Sequence, residues 1–175
     1  MFKLIFFCII FFLSNPARGQ LTWHDSIQLK WSDFEGLPSC SSNLGALSTT
    51  SIECDYFFSD SCLQYSVKAV FFRQESWVID SSKYLLEHEL MHFAITEIYA
   101  RKIRKYLSTA KNWRDEIIRN TISSLISKMD KYHKLYDNQT NHSLKTWEQK
   151  RWNMIIKRQI NSLKLYDKIE ELVCK

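Results

Sequence analysis

The sequence predicts an α+β fold in which an N-terminal antiparallel β-sheet is followed by three long helices. β-branched and aromatic residues, partly in alternation with polar ones, concentrate in residues 20–80. After residue 80, apolar residues instead recur at three- and four-residue intervals. Strands first and helices afterwards are typical of a domain whose helices pack on one face of a sheet. Residues 20–175 are long enough for one such domain with its own core.

The first nineteen residues are predicted to be a secretory signal peptide and not part of the fold. Lys3 precedes the apolar run 4–13, and residues 17–19 (Ala-Arg-Gly) fit a small-x-small cleavage site. The apolar run is too short to span a membrane, which needs about 20 residues. We therefore expect an exported protein, periplasmic or extracellular, that begins at Gln20 and has no stable membrane insertion.

Three segments are predicted to be strands, and three are predicted to be helices. The strand segments are 29–34, 45–52 and 63–72, which suggest three or four antiparallel strands. The first helix covers 81–100, which lacks Gly and Pro and opens with two serines suited to N-capping. The second covers 112–129, and the third is expected from about 144 to 172 because its apolar residues form one stripe. Between the last two, residues 132–143 are polar and rich in turn formers, which predicts a break.

Four cysteines remain after removal of the signal peptide, which suggests disulfides in an exported protein. Four cysteines allow three pairings. We prefer a bridge from Cys54 to Cys62 across a chain reversal, which leaves Cys40 to pair with Cys174. A cysteine ligand for a metal is less favoured because no CxxC spacing is present.

Residues 88–92 read His-Glu-Leu-Met-His, and this HExxH motif carries the expected chemistry. Residues four apart on a helix lie on one face with Cβ atoms about 5–6 Å apart, so His88 and His92 can bind one Zn²⁺. Glu89 lies about 100° around the helix from His88, so its carboxylate can stay off the metal and act as general base toward a zinc-bound water. Structural histidines are the less favoured interpretation.

The charge of the chain does not indicate nucleic-acid binding. The formal net charge is +5, and two of the basic residues, Lys3 and Arg18, lie in the predicted signal peptide. The remaining basic clusters alternate with apolar helix positions, as solvated helix faces do, and no nucleic-acid reader motif is present. The expected partner is a peptide or protein substrate, and we expect a monomer.

Four stretches of the chain resemble a bacterial family, domain of unknown function 922, described as predicted secreted zinc-dependent proteases. They are residues 29–36 (LKWSDFEG), 76–78 (SWV), 85–104 around HExxH, and 136–142 (YDNQTNH), which occur in order over most of residues 20–175. The family pattern in the last stretch is Tyr-Asp-x-x-Thr-x-His, usually followed by Gly where this chain has Ser143. The resemblance implies a zincin-like fold and peptidase activity.

A catalytic zinc normally takes three protein ligands and a water, so a third ligand is expected outside the motif. His142 is the preferred candidate because it ends the loop motif and imidazole is a favoured zinc ligand. Glu97, Asp137 and His133 are the alternatives. Asp137 could instead orient a ligand histidine. Tyr136 is predicted either to donate its hydroxyl to the developing oxyanion or simply to pack.

The leading hypothesis is therefore a secreted zinc metallopeptidase in which Glu89 takes a proton from the water that attacks the peptide bond. The alternative is an exported zinc-containing binding or scaffold domain with little or no hydrolytic activity. The intact Glu89 favours the enzyme, because a purely structural zinc site does not need that carboxylate.

Overall fold

A computed structural model of the chain describes residues 19–38, 44–59, 61–111 and 113–174, and these form an α+β fold with an antiparallel sheet preceding three helices. The predicted fold class is confirmed at this level. The elements in chain order are β1 (Gln20–Thr22), β2 (Ala46–Leu47), β3 (Thr50–Ser59), β4 (Cys62–Phe72), β5 (Trp77–Val78), α1 (Lys83–Thr109), α2 (Asp115–Thr140), α3 (Thr146–Ser162) and β6 (Glu170–Cys174). Short 3₁₀ segments lie at Trp31–Asp33 and Lys164–Tyr166.

Strand β4 is the centre of the main sheet. It pairs along its whole length with β3 on one edge, and on its other edge with β1 near one end and β6 near the other. Its side chains alternate, as expected for a strand with one buried face. The buried set that faces the helices is Leu63, Tyr65, Val67, Ala69 and Phe71. A second small sheet pairs β2 with β5.

Helix α1 is the central helix of the domain. It begins after Ser82, whose hydroxyl oxygen accepts a hydrogen bond from the Leu85 backbone N–H at 3.2 Å, as the serine-rich start predicts. One side packs against β4 through Phe93, Ala100 and Ile103, and another side packs against α2 and α3. A helix covered on several sides is buried nearly all round, which explains why α1 holds buried charged residues as well as apolar ones.

The predicted strand at 29–34 is wrong. Leu29 and Phe34 are buried, but the segment between them turns through the 3₁₀ segment Trp31–Asp33. The Asp33 carboxylate accepts a hydrogen bond from the Lys30 backbone N–H at 2.8 Å. Such a local side-chain bond competes with strand pairing, and it is the physical reason that this segment leaves the sheet.

The predicted break at 132–143 is also mostly wrong, because α2 continues to Thr140. The positions Met129, Tyr136 and Thr140 are buried on the face of α2 that packs toward α1 and α3. This packing outweighs the weak helix propensity of the polar residues between them. The helix ends at Asn141, which has a left-handed backbone (φ 49°) and donates its N–H to Asp137 O.

The C-terminus differs from the predicted long helix, since α3 ends at Ser162 and the chain then returns to the sheet as β6. A disulfide between Cys62 and Cys174 closes this pairing, with the two Cα atoms 4.1 Å apart. The preferred bridge from Cys54 to Cys62 is therefore wrong. The two residues are not opposite each other in the hairpin, because Cys54 faces Val67, and Cys54 is a free thiol. The expected pairing of Cys40 with Cys174 is wrong for the same reason, since Cys174 is bonded to Cys62, and Cys40 itself lies outside the described residues.

The presence of a disulfide is compatible with an exported protein. The predicted signal peptide lies outside the described residues, apart from Gly19. Within the described ranges, no helix is both long enough and apolar enough to cross a membrane.

Candidate metal centre

The HExxH motif lies in the first turns of α1, and both of its histidines point to the same place. His88 is 2% exposed and His92 is 13% exposed. Their Nε2 atoms are 3.2 Å apart, and the two rings meet edge to face with centroids 4.9 Å apart. The four-residue helical spacing accounts for this geometry.

Asp137 on α2 completes a group of three ligand atoms. Its Oδ1 lies 3.2 Å from His88 Nε2 and 2.9 Å from His92 Nε2. Burial alone would raise the pKa of Asp137, but hydrogen bonds from His88 and His92 outweigh it and hold that pKa well below its usual range. Burial likewise lowers the pKa of His92, but Asp137 outweighs it and raises that pKa above the ordinary value. Asp137 is therefore a charged carboxylate between the two rings.

These three residues fit a zinc ion. Tetrahedral Zn²⁺ with bonds of about 2.0–2.1 Å keeps its ligand atoms roughly 3.3 Å apart, close to the 2.9–3.2 Å separations of the three atoms. Among the described residues, His88, His92 and Asp137 form the group whose ligand atoms are close enough to hold a metal ion. Two imidazoles and a carboxylate also leave the fourth position open, as in catalytic zinc sites.

The outer nitrogen of each histidine ring has its own partner. His88 Nδ1 lies 2.9 Å from Gln149 Oε1 on α3, and His92 Nδ1 lies 2.9 Å from His133 Nδ1 on α2. Burial and the neighbouring charge of His92 lower the pKa of His133 to about 3. His133 is therefore a neutral ring that can accept a hydrogen bond from His92, with its own Nε2 3.4 Å from Thr96 Oγ1. Partners of this kind orient metal-bound histidines in many proteins.

Glu89 lies beside the three ligand atoms without being one of them. It is 3% exposed and lines a cavity of about 350 Å³ together with His88, His92 and Asp137. Its charge also raises the pKa of His92, in the same direction as Asp137 does. The segment 44–50, which includes β2 and the first residue of β3, lines the same cavity. If a metal ion were held by His88, His92 and Asp137, a carboxylate lining the same cavity could act on a water there.

Two of the four candidate third ligands lie near the histidines without joining the group. His142 lines the same cavity, but it is 49% exposed and its Nδ1 is 3.7 Å from Asp137 Oδ1. His133 contacts His92 at Nδ1, the ring nitrogen on the side away from the three ligand atoms. The geometry thus favours the alternative in which Asp137 is the ligand, and the role of His142 remains a prediction.

Glu97 lies away from the histidines, in a buried ion network. Its Oε1 accepts hydrogen bonds from Arg101 Nε at 2.8 Å and Arg104 Nη1 at 2.9 Å. Arg104 also donates to the backbone oxygens of Val67 and Tyr166, so the network joins α1 to β4 and to the chain after α3. Both oxygens of the Glu97 carboxylate accept hydrogen bonds from these arginines, and the network stabilises the fold.

Tyr136 occupies a packing position behind the histidines. It is fully buried, its ring stacks on His88 with centroids 4.6 Å apart, and its hydroxyl accepts a hydrogen bond from Gln149 Nε2 at 2.6 Å. Burial raises the pKa of the Tyr136 hydroxyl well above its usual range. The residue is not among those that line the cavity, which agrees with the packing alternative stated above.

The turn that carries His142 has an unusual backbone. Asn141, His142 and Ser143 have φ angles of 49°, 49° and 73°, and these are the described non-glycine residues with positive φ. Left-handed geometry costs an L-residue about 1–2 kcal/mol, and glycine avoids this cost. A glycine would suit the geometry at position 143, where Ser143 has φ 73°.

Sequence reasoning did not identify Gln149 as a site residue. A signal was present, because Gln149 lies three and seven residues before Trp152 and Ile156 and so continues the buried stripe of α3 with a polar side chain. A buried polar residue requires hydrogen-bond partners, and these could not be read from the sequence.

Comparisons with protein-family models, with curated proteins and with solved structures find no match to this chain. The function must be inferred from the geometry of the site.

Proposed function

We propose that this protein is an exported zinc-dependent metallopeptidase. The proposal is supported chiefly by one observation: His88, His92 and Asp137 bring three zinc-ligand atoms within 3.2 Å of one another, and Glu89 lines the same cavity. Each of these residue types suits its role, since imidazole and carboxylate bind zinc and a buried carboxylate can serve as a general base.

In this proposal His88, His92 and Asp137 hold the metal, which when bound supplies Lewis-acid chemistry for water and for the scissile carbonyl. Glu89 takes a proton from the attacking water as the new C–O bond forms. It later delivers that proton to the amine nitrogen as the C–N bond breaks.

From the four sequence stretches that resemble it, we infer membership of the domain of unknown function 922 family and a zincin-like form of the α+β fold. Residues 1–19 are then the signal peptide, and residues 20–175 form one peptidase domain. A peptide or protein is the proposed substrate, and a monomer without nucleic-acid partners is the proposed state. The alternative function, a zinc-containing binding or scaffold domain, has the same metal ligands but no turnover.

The test compares two glutamates of α1. Glu89→Gln removes the base but keeps the shape of the side chain, so it should retain zinc and lose hydrolysis of an unfolded protein substrate by on the order of 10³-fold or more. Glu87→Gln is the matched control, since Glu87 is on the same helix but lines a different groove. It should retain nearly full activity.

Zinc content is measured on the same samples, together with hydrolysis in the presence of a chelator. Stoichiometric zinc with no hydrolysis by the wild-type protein would favour the binding or scaffold alternative. Near-normal turnover by Glu89→Gln would contradict the assigned mechanism, and turnover unaffected by the chelator would contradict the role of zinc.

A further inference from the structure

Gln149 is a buried glutamine that connects helix α3 to the back of the candidate metal site. Its side chain is fully buried and makes three hydrogen-bonding contacts. Oε1 lies 2.9 Å from His88 Nδ1, while Nε2 lies 2.6 Å from the Tyr136 hydroxyl and 3.2 Å from Asn153 Oδ1. We propose that Gln149 is a positioning residue, which fixes the tautomer and direction of the His88 ring so that Nε2 faces the metal. This inference rests on the proposed zinc site.

The contacts of the amide determine which of its atoms faces His88. In the structure the Gln149 amide nitrogen donates to both the Tyr136 hydroxyl and Asn153 Oδ1. The amide oxygen of Gln149 therefore faces His88 Nδ1 and can only accept. His88 must then carry its proton on Nδ1, because two acceptors 2.9 Å apart would repel each other.

A neutral imidazole protonated on Nδ1 has its lone pair on Nε2. In His88 the Nε2 atom faces His92 Nε2 and the Asp137 carboxylate, both 3.2 Å away, and a proton or a cation between these atoms removes their repulsion. The same atom is the one that must be free to bind zinc. Tyr136, which is hydrogen-bonded to Gln149, stacks on the His88 ring with 17° between the planes and restricts its rotation. Gln149 thus acts on both the protonation and the orientation of His88.

The first experiment reads the tautomer directly in the metal-free protein. Two-bond ¹H–¹⁵N correlation spectra distinguish the two neutral forms of a histidine, at a pH above the range in which histidines are charged. The wild-type protein should show a proton on His88 Nδ1, where Gln149 accepts it. A His88 ring without a proton on Nδ1 in the wild-type protein would overturn the proposal, even if no variant could be purified.

Three variants then test the role of the acceptor. Gln149→Leu removes it at similar size, Gln149→Glu keeps an acceptor facing His88, and Gln159→Leu is the matched control. Gln159 lies on the same helix and also donates to a tyrosine hydroxyl, that of Tyr132 at 2.7 Å, but it has no contact with His88. Only Gln149→Leu should shift the His88 signals toward a mixture of tautomers.

Zinc affinity, measured by competition with a chelator of known affinity, provides the second readout. Loss of an outer partner of a zinc-bound histidine typically weakens binding by about 10–100-fold, and we expect that loss for Gln149→Leu but not for Gln149→Glu or Gln159→Leu. Equal zinc affinity of folded Gln149→Leu and the wild-type protein would overturn the inference, as would an equal loss in Gln159→Leu. Absence of hydrolysis by the zinc-loaded wild-type protein would instead contradict the proposed function and leave this inference standing.

Discussion

The two halves of helix α1 bury charged and polar residues in opposite ways. In the second half, Glu97 is paired with Arg101 and Arg104, and all three side chains are at most 2% exposed. In the first half, His88 and His92 direct their Nε2 atoms toward each other and toward Asp137, and none of the described residues that line the cavity there is an arginine or a lysine. In the Glu97 cluster, the carboxylate is neutralised by two arginine side chains. In the other cluster, the Nε2 atoms of His88 and His92 and the Asp137 carboxylate are directed at one point.

The difference shows how a structural cluster can be told from a candidate metal site on the same helix. A buried carboxylate that is matched by guanidinium groups has its hydrogen-bonding capacity satisfied and needs no further partner. Lone pairs that face one another across about 3 Å repel unless a proton or a cation lies between them. The Glu97 cluster is therefore sufficient in itself, whereas the group of His88, His92 and Asp137 needs a proton or a cation between its atoms and could hold a metal ion.

Glu97→Gln should produce the largest effect on stability, because it leaves Arg101 and Arg104 buried without their shared carboxylate. Breaking a buried ion pair from one side typically costs about 3–5 kcal/mol, measured here as the loss in free energy of unfolding by urea. Because the network is separate from the metal site, the loss should be the same with and without a chelator. Zinc affinity of the folded variant should be nearly unchanged.

The control for this variant is Glu87→Gln, a half-buried glutamate on the same helix, which should change the free energy of unfolding by no more than about 0.5 kcal/mol. If Glu97→Gln removed zinc while leaving the stability of the metal-free protein intact, the separation of the two clusters would be wrong. Glu97 would then return as a candidate ligand.

The second test compares Asp137→Ala with His142→Ala and decides which of the two residues is the third zinc ligand. If Asp137 is the third ligand, its loss should weaken zinc binding by more than about 100-fold, beyond the range typical of outer residues. His142→Ala should then have a smaller effect, because His142 is half exposed and 3.7 Å from Asp137. Zinc titrations of both variants in parallel decide between them. Loss of binding in His142→Ala alone would restore His142 as the ligand preferred from sequence.

The parts of this fold and site that sequence could predict are those set by local geometry. The four-residue spacing of His88 and His92 on a helix, and the alternation along β4, follow from backbone periodicity alone. Asp137 and Gln149 meet the histidines only because α2 and α3 pack on α1, so their placement depends on contacts more than 40 residues apart. Strand β6 depends in the same way on its pairing with β4, and no local pattern in residues 170–174 indicated it.

Ser143→Gly should have the smallest effect on the free energy of unfolding. It tests the backbone of the turn that carries His142, next to the candidate metal site. Ser143 has φ 73°, so replacing it with glycine should relieve about 1–2 kcal/mol of left-handed strain in the folded state. The greater freedom of glycine in the unfolded chain should lower the free energy of unfolding by roughly 0.5–1 kcal/mol. We expect a net gain of about 0.5–1 kcal/mol in the free energy of unfolding, and a loss for Ser143→Val, because a β-branched residue is poorly tolerated at positive φ. Zinc affinity should stay constant in Ser143→Gly if the ligand is Asp137, which lies within α2 before the turn. A large change in affinity would show that the turn itself holds the metal, and would shift the third ligand to His142.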